Sequence, residues 1–397
     1  MSLSNDLINM TIVPHIGGRV MSLSLGDREV MYVNPRHQND PPEPKGFWPG
    51  SGNWKNYGGS KVWVGPQGWS SESEWPGPPD EVFDSGQYTY RASADDKCAM
   101  IELTSAHDEY SGVTLARTLQ IRPGASIVRL RHSMRNTSCR RVRWAIWQIT
   151  QVDAACGLDI FVPATGFHKT FGNEPYPGME YDEQSAHAHL RYHDQVAKFA
   201  VGASQGWMAA LDSTRKLVLA EAFPVIPGAP YPDGAPAALW VCGKGTFSLH
   251  GDTVDMSAST SGCDPHVETE IMGPVVELGP GEATELCTEW RPATIEANRI
   301  ISINDCGAIG QRLTITKKPR TQLTGVFGVF YEAQLQLALF DRASKLIGAI
   351  SLQRVSPLCP LVLNERISLP ANAVRCSLWL LDQNNQRLGT LDHVNIC

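Results

Sequence analysis

No apolar run in the 397-residue chain approaches the roughly 20 residues that a bilayer-crossing helix needs. A membrane partner is therefore not expected. The start, MSLSNDLINM, lacks a basic segment followed by an apolar core, so no secretory leader is expected and the cytoplasm is the default location. The chain has 34 Lys and Arg against 41 Asp and Glu, and its densest basic run is only Arg140, Arg141 and Arg143. Without a basic stripe, a nucleic-acid partner is not expected either. The ten cysteines form no C-x-x-C pair, which argues against a zinc ribbon or a thioredoxin-like motif. They are expected to be buried small hydrophobes rather than disulfides. G-x-S-x-G, P-loop and strand–helix G-x-G-x-x-G patterns are also missing, so hydrolases of that serine type, ATPases and Rossmann enzymes drop out. No ligand spacing calls for a resident metal or cofactor.

Windows with a 3.6-residue apolar period are scarce, and only a short helical piece near 182–190 is expected. Strand signals fill the space. Turn residues, among 35 Gly and 27 Pro, punctuate short apolar runs such as Ile127–Met134, Leu217–Ala222 and Ala238–Cys242. The fold class is all-β. A boundary near 291–300 divides the chain into a large domain, 1–295, and a small Ig-like β-sandwich, 296–397. In the small one, Ala333, Leu335, Leu337 and Leu339 alternate onto one side. It carries no chemical motif and reads as a packing or docking domain.

Five of the eleven tryptophans fall in 47–75: Trp48, Trp54, Trp63, Trp69 and Trp75. Asn56, Tyr57, Lys61 and Gln67 lie among them, with many glycines. Flat apolar rings beside amide and ammonium donors suit a sugar, whose C–H faces stack while its hydroxyls pair. The bland alternative is a Trp-rich plug at one end of a β-sandwich.

In His266-Val267-Glu268-Thr269-Glu270-Ile271, a strand puts His266, Glu268 and Glu270 on one face, neighbours roughly 6.5–7 Å apart. Such a row is a poor core and a good acid/base set, since adjacent desolvated carboxylates separate in pKa. A solvated strand face is the alternative, and metal binding with help from elsewhere is another. In Trp144–Gln151, Trp147 and Gln151 share one face while Gln148 and Thr150 share the other; either could line a polar groove. Gly166-Phe167-His168-Lys169 opens a loop-like stretch from which His168 could reach a site. His187, His189 and His193 lack a zinc-enzyme spacing and read as structural.

The run Ile12-Val13-Pro14-His15-Ile16-Gly17-Gly18-Arg19 resembles the first hairpin of aldose 1-epimerase-like, or galactose mutarotase-like, proteins. Asn56-Tyr57-Gly58-Gly59 falls where they carry a His-Gly-Gly turn. Asn136-Thr137-Ser138 leads into the region of their later catalytic histidine. Glu268 or Glu270, followed by Leu278-Gly279-Pro280-Gly281-Glu282, resembles their glutamate segment and L-x-P-G-E hairpin. The pattern at 56–67 is similar to the DUF4380-like branch. The resemblance spans roughly 10–292 and implies a large antiparallel β-supersandwich with a sugar site on its concave sheet. It also implies a departure: Trp147 or Gln148 stands at the histidine position and Tyr57 at the other turn, so plain aldose mutarotation is not expected. Glu268 and Glu270 are the first candidates for acid/base work, with His266 or His168 as proton partner. Trp54, Trp63, Trp69 and Trp147 are candidates for stacking. Asn56, Tyr57, Lys61, Gln67, Gln148 and Gln151 are candidates for binding hydroxyls or a carboxylate. Epimerisation, lyase chemistry, hydrolysis and non-catalytic sugar binding all fit this set.

Overall fold

The computed structural model describes residues 1–37, 40, 55–68, 71–78, 80–249, 252–256, 264–316 and 321–396. Trp48, Trp54, Trp69 and His250 lie outside the described residues. Strands account for nearly all regular structure; the one helical element among the described residues is a 3-10 turn at Pro232–Gly234. The protein is all-β. The piece expected as helix near 182–190 is instead a hairpin, Met179–Asp182 against His187–Arg191, with Ala186 at φ 51° in the turn.

Two layers of antiparallel strands make the large sandwich. One layer runs through Ile8–Val13, Arg19–Leu25, Ser60–Gly65, Val142–Asp153, His266–Met272, Ala237–Cys242 and Ala197–Ala203. The other runs through Thr89–Ala94, Ala99–Thr104, Val113–Ile121, Val128–Asn136, Ala283–Thr294, Leu217–Ala222 and Trp207–Asp212. The long strand Asp159–Phe171 belongs to both: its first half pairs with Trp207–Asp212 and, after an irregularity between Ala164 and Phe167, its second half pairs with Ala197–Ala203. In Val113–Ile121 every second side chain is buried, which turns Val113, Leu115, Leu119 and Ile121 toward the space between the layers.

From Ser302–Ile303 onward the chain builds two four-stranded sheets. Leu335, Leu337, Leu339, Leu378, Leu380 and Phe327 fill the space between them. A further apolar cluster joins this sandwich to the large one, with Phe161, Trp207, Ala293, Ile295, Ile300 and Phe330. The Ser126 backbone N–H, donating to the Phe330 carbonyl at 2.9 Å, and Thr294 Oγ1, donating to the Pro357 carbonyl at 2.8 Å, pin the same junction.

The cysteine expectation needs correction. Cys306 and Cys376 are buried, but Cys139, Cys156, Cys287 and Cys359 are exposed free thiols, and Cys242 is disulfide-bonded.

Candidate active site

His266–Met272 is a central strand, paired on one side with Val142–Asp153 and on the other with Ala237–Cys242. Register sets the neighbours. Glu268 lies opposite Gln151 and Trp240; Glu270 lies opposite Ile149 and Ala238. Ile149 in turn faces Lys61 on Ser60–Gly65, and Trp240 faces Lys198 on Ala197–Ala203. Side chains at directly paired positions share a face. The outer face of this layer therefore carries Lys61, Gln151, Glu268, Glu270, Trp240 and Lys198 together.

The turn before Ser60 is set by glycine. Gly58 and Gly59 have φ of +90° and +71°, and a Cβ on Gly59 would sit 2.1 Å from the Val20 carbonyl oxygen. That close approach aims Asn56 and Lys61 at the same row. Asn34 Nδ2 fixes the Asn56 carbonyl at 2.7 Å. Gln151 Nε2 then donates to Asn56 Oδ1 at 2.9 Å and to Glu268 Oε1 at 2.5 Å. Lys61 Nζ stands 3.3 Å from Glu268 Oε1 and 4.0 Å from the Trp63 ring centroid. Lys198 Nζ stands 2.8 Å from Glu270 Oε2 and 4.6 Å from the Trp147 ring centroid. Each glutamate thus has its own ammonium, and each ammonium its own indole.

His266 closes the row. Its Nδ1 donates to the Asp264 carbonyl at 2.8 Å, which leaves Nε2 as the acceptor facing Asn56 Nδ2 at 3.5 Å. Tyr32 stacks on the ring at 4.5 Å and 8° and donates from its hydroxyl to Asp264 Oδ2 at 3.1 Å.

The two carboxyls are driven apart. Burial pushes the Glu270 carboxyl up to about 7, against the pull of Lys198 and with the help of the Glu268 charge. Burial acts on Glu268 as well, but Lys61, His266 and the Gln151 hydrogen bond outweigh it and hold this carboxyl below the usual glutamate range. Burial lowers the His266 imidazole, so it is neutral near pH 7, and it lowers the Lys61 ammonium despite Glu268. One acid, one base and one neutral imidazole on a single strand face can deliver a proton to one oxygen and remove one from another. Gln151 Oε1 and the indole N–H groups of Trp63 and Trp147 are buried and make no hydrogen bond among the described residues. Among the described residues, no group of three or more His, Cys, Asp or Glu side chains is arranged to hold a metal ion.

Several expected site residues lie elsewhere. Gln148 points into the space between the layers, where its Oε1 accepts from Thr288 Oγ1 at 2.5 Å and meets His132 Nε2 at 2.8 Å. His168 is exposed and three strands away from Glu270, in the register row Glu270, Ala238, Ala200, His168. At the usual strand spacing that is about 14 Å, too far for direct proton exchange. Tyr57 is buried against the Arg19 guanidinium and His37. Gln67 is exposed beyond the end of its strand, beside Gly77. Trp63 and Trp147 are each 3% exposed and pack edge-to-face at 5.4 Å, so they form a closed wall rather than an open platform. The partly exposed indole of the row is Trp240, backed by Phe171 at 5.1 Å.

Tyr32, Lys198 and Trp240 were not expected from sequence. Trp240 had a signal: in Ala238–Cys242 the larger aliphatics Leu239 and Val241 alternate with it, which puts Trp240 on the opposite face. Lys198 and Tyr32 had none, since cross-sheet register alone brings them in.

The family described as "Domain of unknown function (DUF4380)" matches residues 1–292, about three quarters of the chain. The chain belongs to this DUF4380 family. A TPR-domain containing protein from Parabacteroides distasonis is similar in fold, at 15% identity and a TM-score of 0.51, over 77% of this chain and 48% of that one. The DUF4380 chain thus spans about half the length of that relative. A galactose mutarotase-like protein from Lactobacillus casei is similar at 13% identity and a TM-score of 0.45, over 74% of this chain and 99% of that one. A galactose mutarotase related enzyme from Lactobacillus acidophilus is similar at 9% identity and a TM-score of 0.44, over 73% and 96%. No curated protein matches the chain in sequence.

Proposed function

We propose that this DUF4380 chain binds a carbohydrate at the His266–Glu268–Glu270 row and transfers protons to and from it. The reading rests chiefly on two glutamates at alternate positions of one strand, each on its own lysine, beside a partly exposed Trp240. Trp240 supplies a stacking face, while the Gln151 amide beside Glu268 supplies a hydroxyl partner. Glu270, neutral, serves as the acid; Glu268, ionised, serves as the base. Delivery of a proton to one sugar oxygen, paired with removal of one from a sugar hydroxyl, a ring carbon or an attacking water, is common to epimerisation, elimination and hydrolysis. The names of the mutarotase-like relatives agree with a sugar as ligand.

The test is a panel of neutral and acidic mono- and oligosaccharides followed by NMR for new anomers, double bonds or reducing ends. Glu270→Gln and Glu268→Gln are each expected to lower turnover about a hundredfold or more while sugar binding stays within a few-fold. A second reading, a binding module without chemistry, is favoured by one feature: both carboxylates are already ion-paired. Retained binding in both variants with no turnover in the parent protein would establish that reading instead.

A further inference from the structure

The sheet formed by Leu346–Val355, Ala333–Phe340, Arg375–Leu381 and Arg387–Asn395 presents arginines, amides, hydroxyls and two aromatic rings on its outward face. Across it, Trp379 lies opposite Gln336 and Thr390, and Gln336 lies opposite Ser351. Two rows along, past Ala338 and Ser377, Phe340 lies opposite Arg375, and Arg375 opposite Asn395. The Arg375 guanidinium stands 4.5 Å from the Phe340 ring centroid, and that of Arg387 stands 4.9 Å from the Trp379 ring centroid. The two rings meet edge-on at 5.9 Å. Trp379, Phe340 and Arg375 are partly exposed, while Arg387, Arg354 and His393 are exposed.

The charge on this face runs against the chain as a whole. The protein carries −7, yet the outward positions paired in these four strands hold Arg354, Arg375, Arg387 and His393 and no Asp or Glu. The nearest acids, Asp341 and Asp382, are turned to the backbone: each accepts two N–H groups of its own turn through Oδ1. Arg375 Nε is buried and makes no hydrogen bond among the described residues. At the Gln334, Arg354 and Leu381 end, the face continues into a cavity of about 1090 Å³ between the two sandwiches. That cavity is itself balanced, with Arg122, Arg129 and Arg354 against Asp6, Glu332 and Asp382, so selection for an anion lies on the sheet.

We propose that this face binds an acidic polysaccharide, with uronate-type carboxylates on Arg375, Arg387 and Arg354. Ring hydroxyls then pair with the Gln336, Ser351 and Thr390 side chains, and sugar C–H groups lie against Trp379 and Phe340. From Phe340 to Gln334 the strand rises about 20 Å, room for a chain several residues long. A single-stranded nucleic acid is the competing polyanion, and the oligo(dT) arm of the test separates the two. The proposal stands apart from the reading of the glutamate row.

The test is affinity electrophoresis of the full chain through gels containing polygalacturonate, alginate or neutral dextran, with oligo(dT) as competitor. Retardation by polygalacturonate or alginate at low salt, lost at high salt and not seen with dextran, is expected. Trp379→Ala and the exposed-site change Arg387→Glu should each weaken retention at least about tenfold. Arg91→Glu, on the exposed strand Thr89–Ala94, should leave it unchanged. The proposal is overturned if neither acidic polysaccharide retards the protein, if Arg387→Glu and Trp379→Ala bind like the parent, or if oligo(dT) displaces the polysaccharide at lower concentration than free polygalacturonate does.

Discussion

Glu268 and Glu270 differ by two positions and share a face, a strand and a near-complete burial, yet their carboxyls shift in opposite directions, Glu268 downward and Glu270 upward. The difference comes from their neighbours. Glu268 receives Lys61, His266 and a Gln151 hydrogen bond, whereas Glu270 receives Lys198 alone and feels the Glu268 charge. Turnover that needs Glu270 protonated should therefore fall as pH rises through about 7. Lys198 is the cation that pulls Glu270 down, so Lys198→Met should move that alkaline limb to higher pH. A pH–rate profile of both proteins checks this; an unmoved limb assigns it to another group. The row itself was legible in the sequence, because His266, Glu268 and Glu270 alternate with Val267, Thr269 and Ile271. The partner lysine of Glu270 was not, because Lys198 is brought in only by the pairing of Ala197–Ala203 with Ala237–Cys242.

At the scale of elements, the strand Val142–Asp153 has both faces buried, and this defeats a one-sided reading. Sequence alternation separates Trp147 and Gln151 from Gln148 and Thr150 without saying which pair faces outward. The inward pair joins a polar network in the sandwich core. Glu221 Oε1 accepts from Thr150 Oγ1 at 3.1 Å and Trp290 Nε1 at 3.1 Å, with Gln148 Nε2 at 3.4 Å. Burial pushes the Glu221 carboxyl up to about 7 against these hydrogen bonds, and burial drives His132 down to about 3, so that imidazole is neutral. A carboxyl raised on folding adds stability below its unfolded pKa, and that contribution is lost as pH rises through the folded value. For Glu221 the loss runs from about 4.5 to about 7 and is on the order of 3 kcal/mol. Glu221→Gln should flatten this decline and melt higher than the parent at pH above 7. Denaturant unfolding at several pH values measures it; an unchanged slope would mean that Glu221 ionises normally inside the core.

Over the whole molecule, the all-β class was legible from turn spacing and from the scarcity of helical periods, and so was the apolar side of Ala333–Phe340. What was not legible follows from long-range contacts. The layer-crossing strand Asp159–Phe171 and the apolar cluster that joins the two sandwiches depend on residues far apart in sequence. Phe330 is fully buried in that cluster, with Arg291 5.9 Å from its ring. Phe330→Ala should cost about 3–5 kcal/mol of unfolding free energy, read by denaturant titration. A loss well under 1 kcal/mol would mean that the junction contributes little to folding.

The most direct measurement is a carboxyl-carbon NMR titration of the full protein with ¹³C-labelled glutamate, assigned with Glu268→Gln and Glu270→Gln. The expected result is one resonance titrating near pH 7 that vanishes in Glu270→Gln, a Glu268 resonance titrating below the ordinary glutamate value, and movement of both when a bound sugar is added. A Glu270 signal titrating at the ordinary glutamate value, or a bound sugar that leaves both signals in place, would contradict it.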